Sequence, residues 1–256
     1  MASVSILITT FKRANLLYWG LQSISKQQSK HDIEVIVLND GVEDETEGVC
    51  KLFKKSLNIK YIFSAANKNP SDLWRVPGFA LNIGAKKAEG EYLFISCAEM
   101  FHVDDCIGGM TDYMVDHPDM KMMMVTNGRD DLNQNFLNRV RQTDGNPSMA
   151  DYNKCGELNI RIPFLMGMRK KDYFEIGGYD EEFVGVGFED NNFVERMSAN
   201  GCKYVNSNCH VVHLYHPRIH GNDNNEIRQR MAINKSLLMS KRGQNKANID
   251  REWGIF

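Results

Sequence analysis

The sequence predicts an α/β protein built on a mostly parallel sheet flanked by helices. Short aliphatic runs rich in β-branched residues alternate four times with helical patterns over the first hundred residues. The runs are apolar almost throughout, as strands buried on both faces are, and they stop at polar turns.

Ser3–Thr9 reads as a buried strand, and Asn15–Gln27 follows as a helix with Leu17, Leu21 and Ile24 on one face. Ile33–Leu38 is a second strand, ended by the turn-forming Asn39-Asp40-Gly41. Thr46–Ser56 gathers Val49, Leu52 and Phe53 into a second helix, and Ile59–Ser64 supplies a third strand. Pro77 suits the first turn of a helix through Lys87, Gly90 ends it, and Tyr92–Ser96 forms a fourth strand. The alternation then stops. Asp104–His117 reads as a helix, and a methionine-rich strand surrounds Met122–Val125, where the methionines act as core filler. Residues 127–160 are polar, without a clear period, and are expected to form a long acceptor-facing loop or lid. Order returns with a strand at Ile162–Met168, a short helix near Lys171–Ile176 and the turn Gly177-Gly178-Tyr179-Asp180. A helix over Glu189–Asn200, strands near Tyr204 and at Val211–Tyr215, and a helical tail from Gly221 through Ser240 complete the chain.

Composition narrows the function. With 256 residues, 42% hydrophobic and 25% charged, the chain can bury a substantial core and is neither disordered nor fibrous. Its 31 basic and 33 acidic residues leave a net charge of −2, so no global attraction to nucleic acid or an anionic membrane is expected. Six cysteines without the paired spacing of a zinc site or the density of a disulfide scaffold suggest reduced thiols and a cytoplasmic setting. Val4–Thr10 is too short for a signal peptide or a membrane span, and no later run approaches membrane length.

In an open α/β sheet, ligands bind beyond the carboxyl ends of the strands. Those ends carry Thr9-Thr10-Phe11-Lys12-Arg13, Asn39-Asp40-Gly41 and Cys97-Ala98-Glu99. No Gly-x-Gly-x-x-Gly follows the first strand and no P-loop occurs, so the usual dinucleotide and triphosphate fingerprints are absent. Over about Ser3 to Pro217 these segments resemble, in order, the family 2 glycosyltransferases of GT-A fold, and in the second half the galactosyltransferase and polypeptide N-acetylgalactosaminyltransferase type. The resemblance rests first on Thr10 to Arg13, on Asn39-Asp40-Gly41-Val42, and on Asn82, Gly84, Ala88, Glu89 and Gly90. It implies a nucleotide site made by Thr9, Thr10, Phe11, Arg13, Asp40, Asn82 and Ala98, with Asp40 on the base.

The family's metal motif, Asp-x-Asp, falls on Cys97-Ala98-Glu99, where only Glu99 remains acidic. The segment Val211-Val212-His213-Leu214-Tyr215-His216-Pro217 resembles the late strand that returns a metal-binding histidine. The resemblance thus implies Mn²⁺, or Mg²⁺, on Glu99 and His213, with His216 as the alternative; a carboxylate and an imidazole suit manganese better. The sharpest match is Gly177-Gly178-Tyr179-Asp180-Glu181-Glu182-Phe183 followed by Gly187-Phe188-Glu189-Asp190, which resembles the family's Gly-Gly-Phe-Asp-Glu and Trp-Gly-x-Glu-Asp motifs. An isolated Glu-Asp pair at a helix start is ordinary capping. In this setting the resemblance implies that Asp190 is the catalytic base and that Glu189, Phe188 and Gly187 bind the acceptor. Trp74-Arg75 reads as surface anchoring and Lys241-Arg242 as a solvated helix end.

The expectation is therefore an inverting glycosyltransferase that takes a sugar from a nucleotide donor, a UDP-sugar, to a carbohydrate or glycoconjugate hydroxyl. Residues 1–110 would bind the nucleotide sugar, 111–217 would form the acceptor and catalytic half of the same domain, and 218–256 a helical tail. A catalytically inactive sugar- or nucleotide-binding module is the alternative, made plausible by Cys97. A nucleotidyltransferase is a further one, opposed by the lack of a Gly-rich cationic loop after the first strand.

Overall fold

The structure is a computed structural model that describes residues 1–41, 43–64, 76–158, 165–217 and 225–255. Val42, Trp74-Arg75 and the start of the strand expected at Ile162 lie outside the described residues. The first half alternates as expected: β1 (Ser3–Thr10), α1 (Ala14–Ser25), β2 (Asp32–Asn39), α2 (Thr46–Phe53), β3 (Asn58–Phe63), α3 (Gly78–Lys87) and β4 (Tyr92–Cys97). The second half contains β5 (Met100–His102), α4 (Cys106–Asp116), β6 (Met122–Asp130), α5 (Asn135–Gln142), α6 (Met149–Tyr152) and β7 (Gly156–Glu157). It ends with β8 (Leu165–Arg169), α7 (Lys170–Glu175), α8 (Glu189–Ala199), β9 (Lys203–His213) and α9 (Asn225–Ser240).

Among the described residues the strands make one sheet in the order β3-β2-β1-β4-β8-β6-β9-β5, with β7 on β6. Pairing is parallel across β3-β2-β1-β4, and antiparallel at β4-β8, β8-β6 and β5-β9. Successive strand residues serve opposite faces. Ile6, Ile8, Val35, Val37 and Phe94 pack with Leu17 and Leu21 of α1 and Ile107 and Met110 of α4, whereas Leu7, Ile36, Leu38, Leu93 and Ile95 pack with α3, α7 and α8. Apolar residues are needed on both faces, which is why the strands read as continuous aliphatic runs. Met122, Met123 and Met124 are all buried, as core filler should be.

The junction of α3 with β4 is set by close packing and a buried carboxylate. A Cβ at Gly90 would lie 2.6 Å from the Ser5 amide nitrogen, so only glycine lets the end of α3 pass onto β1 and β4. Beside it the buried Glu34 carboxylate accepts from the Ser5 hydroxyl at 2.5 Å and the Glu89 amide at 2.6 Å, and pairs with Lys60 at 2.8 Å.

Residues 127–160 are not the unstructured loop that their polarity predicts. They continue β6, then form α5, α6 and β7. Phe136, Leu137, Val140 and Tyr152 bury themselves against Leu16, Phe101, Val212 and Leu214. An eight-residue helix with only three buried apolar residues is too short to show a period. The two late strands expected near Tyr204 and Val211 are one strand, β9, and β5 was not expected. No helix among the described residues is long and apolar enough to cross a membrane.

The fully buried Phe94 ring occupies the place where a side chain at Gly167 on β8 would stand, 2.8 Å from an added Cβ. Phe94→Ala should lower stability by about 3–5 kcal/mol, seen as a lower urea midpoint with an unchanged slope. A shift below about 1 kcal/mol would mean that this contact does not anchor the centre of the sheet.

Candidate active site

The site is built at the carboxyl edge of the parallel strands. Here β1 ends at Thr10 beside Asn39 of β2, and the Asp40 amide donates to the Thr10 carbonyl at 2.9 Å. Asp40 is buried, and its Oδ1 accepts from the Ser64 hydroxyl at 2.9 Å. The Thr10 hydroxyl and the side-chain amide oxygen Oδ1 of Asn39 are buried with no partner among the described residues. Unsatisfied buried polar groups are costly, so their place next to Asp40 marks this edge as built for a polar ligand.

A chain of charges lies at the next strand ends. Arg13 Nε sits 3.3 Å from Glu99 Oε1, and Arg13 donates to His216 Nδ1 at 3.1 Å and to the Pro217 carbonyl at 3.4 Å. His216 Nε2 lies 4.0 Å from Glu99 Oε1, while His213 Nδ1 is 3.0 Å from Asp130 Oδ1. The two imidazoles meet edge to face at 5.2 Å. Beyond the end of β9 the chain turns back so that His216 faces Glu99, while His213 faces Asp130 at the end of β6. Burial, with Arg13 and His213 nearby, lowers the pKa of His216, which favours the neutral ring. Glu99 and His216 together offer a carboxylate and an imidazole, ligand types that suit a manganese-type cation.

The acidic pair stands on the helical side of the sheet. Because α3 leads from β3 back to β4, its N-terminus lies at the same carboxyl edge. Gly78 at that N-terminus is pressed by Tyr179, whose Cβ would be 2.7 Å from an added Cβ. The Tyr179 hydroxyl donates to Asp190 Oδ1 at 3.0 Å, and its ring stacks on Phe193 of α8 with centroids 4.4 Å apart. Glu189 and Asp190 open α8 after Gly187 and Phe188, both at positive φ, 86° and 72°. For Phe188 that backbone is strained, and it is held by Asn234 of α9, whose amide nitrogen donates to the carbonyls of Val184, Val186 and Gly187 at 3.0–3.2 Å.

Both carboxyls are perturbed. Burial, and after it the Asp190 charge, pushes Glu189 up to about 7. Burial pushes Asp190 up to about 6, against the Tyr179 hydroxyl, which pulls it down. Glu189 Oε2 is buried with no partner among the described residues. The pair is thus two coupled carboxyls whose pKa values lie near neutrality.

Three expectations change. Asn82 does not reach a nucleotide, because its amide is fully used: Oδ1 accepts from the Tyr173 hydroxyl and the Tyr179 amide, and Nδ2 donates to the Tyr179 carbonyl and to Glu181. Ala98 packs its methyl into the core and gives its amide to the Thr9 carbonyl, so it is a core residue. Lys241 is no solvated end, since its ammonium is 2.7 Å from the buried Asp180 and 3.0 Å from Glu182. Thr9, Phe11 and Arg13 remain at the crevice, Thr9 and Phe11 half-buried. Three residues with site contacts were missed: Tyr179, Asp130 and Asn234. For Tyr179 a signal existed, a hydroxyl where the resembled motif has phenylalanine; the other two stand in segments with no chemical pattern.

The chain belongs to glycosyl transferase family 2, whose profile matches residues 5–177; that of the "N-terminal domain of galactosyltransferase" matches 164–220. The chondroitin synthase of Escherichia coli is 27% identical over 232 residues, which are 78% of this chain and 33% of the relative. The chain therefore spans about a third of that relative's length. Among solved structures, GalNAc-T7 with UDP, GalNAc and Mn²⁺ superposes with a TM-score of 0.65 at 16% identity, over 94% of this chain and 48% of the other. A mannosyltransferase from Pyrobaculum calidifontis in complex with GDP-Man and Mn²⁺ gives 0.63 at 17%, over 93% and 63%. The fold is GT-A, as the sequence suggested.

A carboxyl whose pKa is higher in the folded chain binds its proton more tightly there, so the stability it adds is present at low pH and lost as pH rises. For Glu189 the loss should run from the ordinary 4.5 to about 7. Glu189→Gln stays neutral, so its melting temperature should gain on the parent's between about pH 5 and about pH 8. Parallel melting curves across that range would show that Glu189 does not titrate there.

Proposed function

We propose that the chain transfers a sugar from a nucleotide-sugar donor, a UDP-sugar, to a hydroxyl of a glycan or glycoconjugate acceptor, with inversion at the anomeric carbon. The observation that carries this is the half-buried Asp190, raised toward neutrality, oriented by Tyr179 and flanked by the open acceptor of Glu189. In a single displacement the acceptor oxygen attacks the anomeric carbon as the bond to the donor phosphate breaks. Asp190 takes the hydroxyl proton, and Glu189, with Gly187 and Phe188, holds the acceptor. The Tyr179 hydroxyl fixes one Asp190 oxygen, which leaves the other for the proton.

At the other end of the crevice, Thr10 and Asp40 would receive the base, with Thr9 and Phe11 beside them, and Arg13 the diphosphate. Glu99 and His216, with His213 alongside, would hold a divalent cation. Such a cation neutralises the charge that grows on the leaving diphosphate. Arg13, already on Glu99, supplies positive charge at the same place. The bound species named for the two structural neighbours, UDP and GDP-Man each with Mn²⁺, support a nucleotide site and a cation here. Support for UDP comes from the former. We also read the chain as a nucleotide-binding half, 1–110, and an acceptor half, 111–217, of one domain, followed by the tail 218–256. A cavity of about 540 Å³ lined by Asp131, Asn135, Arg139 and Lys154 lies within that acceptor half. The inactive-module alternative is opposed by the perturbed acid pair, which a pure binding module has no use for.

Asp190→Asn keeps the shape and removes the basicity. Transfer should fall by about 10²–10⁴-fold while donor affinity stays nearly constant. Near-normal turnover in Asp190→Asn, with Glu189→Gln inactive, would exchange their roles; donor that binds but is never hydrolysed or transferred would establish the inactive module.

A melting-temperature screen of UDP- and GDP-sugars with and without Mn²⁺ tests base and metal together. UDP-sugars should stabilise the chain most, and only with the metal should the shift be full. Equal shifts in excess chelator would leave the diphosphate to Arg13, and a larger GDP response would overturn the choice of base.

A further inference from the structure

We propose that Asp104, Cys106 and Cys209 form a second cation site, selective for a thiophilic divalent metal of the zinc class and distinct from the Glu99–His216 crevice. One carboxylate oxygen and two thiol sulfurs, offered by residues from the start of α4 and from β9, lie within 4.8 Å of one another. Among the described residues this is the one group of three such ligands. Two sulfurs and an oxygen suit zinc, which four ligands surround tetrahedrally, and are poorly matched to magnesium or calcium.

The ligands are already oriented. Asp104 Oδ1 accepts from the His210 amide at 3.0 Å, and Oδ2 faces His210 Nδ1 at 2.6 Å, the kind of outer imidazole contact that fixes a ligating carboxylate. Cys106 is buried at the first position of α4, and Asp105 caps that helix by accepting from the Gly108 amide. In the metal-free state the Cys106 thiol donates to Asp104 Oδ1 at 3.0 Å and the Cys209 thiol to the Cys106 carbonyl at 3.7 Å, so each sulfur is held near the common centre by its own proton. Cys209 and Asp104 are partly exposed, which gives the ion a path in and leaves a fourth position for water. Uptake forms two metal–sulfur bonds and one metal–oxygen bond and releases the two thiol protons to solvent.

The placement gives the site a role. β5 pairs antiparallel with β9, Met100 opposite His213 and His102 opposite Val211, so the ribbon carries Glu99 and His213 at one end and Asp104 and Cys209 at the other. Four residues of strand separate His213 from Cys209, about 13 Å. A metal bridging Asp104, Cys106 and Cys209 would pin the far end of the ribbon that presents the crevice ligands.

The test uses the full chain, reduced with a phosphine, stripped with chelator and titrated with Co²⁺. One equivalent should bind with a near-ultraviolet thiolate-to-cobalt band, release two protons, and be displaced by Zn²⁺. Cys209→Ser should lose the band and bind at least about tenfold more weakly. Cys97→Ser, which alters the thiol beside Glu99, should keep it. No band in the parent chain, or a band lost in Cys97→Ser and kept in Cys209→Ser, would overturn the site. Because substitution of the buried Cys106 risks misfolding, a second readout uses the parent chain: Zn²⁺ should slow alkylation of Cys209 and leave the half-buried Cys155 unaffected. An unchanged Cys209 rate would equally overturn it.

Discussion

The amide of Asn82 is the constraint on which the catalytic end depends. It is fully buried in α3, and each of its four hydrogen-bonding positions is filled by the segment from Tyr173 to Glu181. No other neutral side chain offers two donors and two acceptors in that geometry, so the helix specifies the path of the Gly-Gly-Tyr-Asp turn. The turn places Tyr179, and Tyr179 holds Asp190. A side chain that resembles a ligand contact in the sequence thus acts through two intermediates on the proposed base. Leaving such a buried amide unpartnered would cost about 1–3 kcal/mol for each lost bond, which is why this turn can serve as a rigid platform.

The two ends of the crevice solve opposite electrostatic problems. At Glu189 and Asp190, burial disfavours charge, and the pair is left poised between protonated and ionised near neutral pH, which suits the proposed base. At Arg13, Glu99 and His216, charges of both signs are kept together at the mouth of the sheet, with Glu99 and His216 each less than a fifth exposed. An anionic leaving group needs fixed positive charge, whereas an incoming hydroxyl needs a basic oxygen. The two demands fall on different elements, the loop after β1 and the start of α8.

Much of this was legible in the sequence, for identifiable reasons. The parallel strands were readable because Ile33–Leu38 and Tyr92–Ser96 are apolar on both faces, and the strand-end loops followed from topology. Glu189-Asp190 was readable because a run of glycines and acids at fixed spacing is rare. The short α5 was not, since three apolar residues in two turns give no period. Nor was the approach of His216 to Glu99, because the chain leaves the strand after His213 and strand alternation no longer governs direction. Asn82 and Ala98 were placed in the site by pattern, and packing assigns them to the frame; nothing in a linear sequence distinguishes a buried amide that binds a ligand from one that binds its own chain.

The least patterned part of the molecule completes the site. Residues 234–254 close around the turns from behind: Asn234 holds Val184 to Gly187, Asn248 donates to the Gly177 and Tyr179 carbonyls, and the Gly254 amide reaches Glu181. Lys241 covers the buried Asp180, and Trp253 packs on Phe174 while Lys86 lies 4.3 Å above its ring. Gly177 must be glycine for this closure, since its φ is +75° and a Cβ there would stand 2.2 Å from the Ala247 carbonyl oxygen. The strained backbone at Phe188 is thus held by partners from a separate segment, not by its own neighbours, and strain persists only where surroundings over-determine it. It follows that the geometry of the acid pair is a property of the sheet and the tail together: α3 fixes the turn from one side and the tail fixes it from the other, so neither alone would hold Asp190 in place.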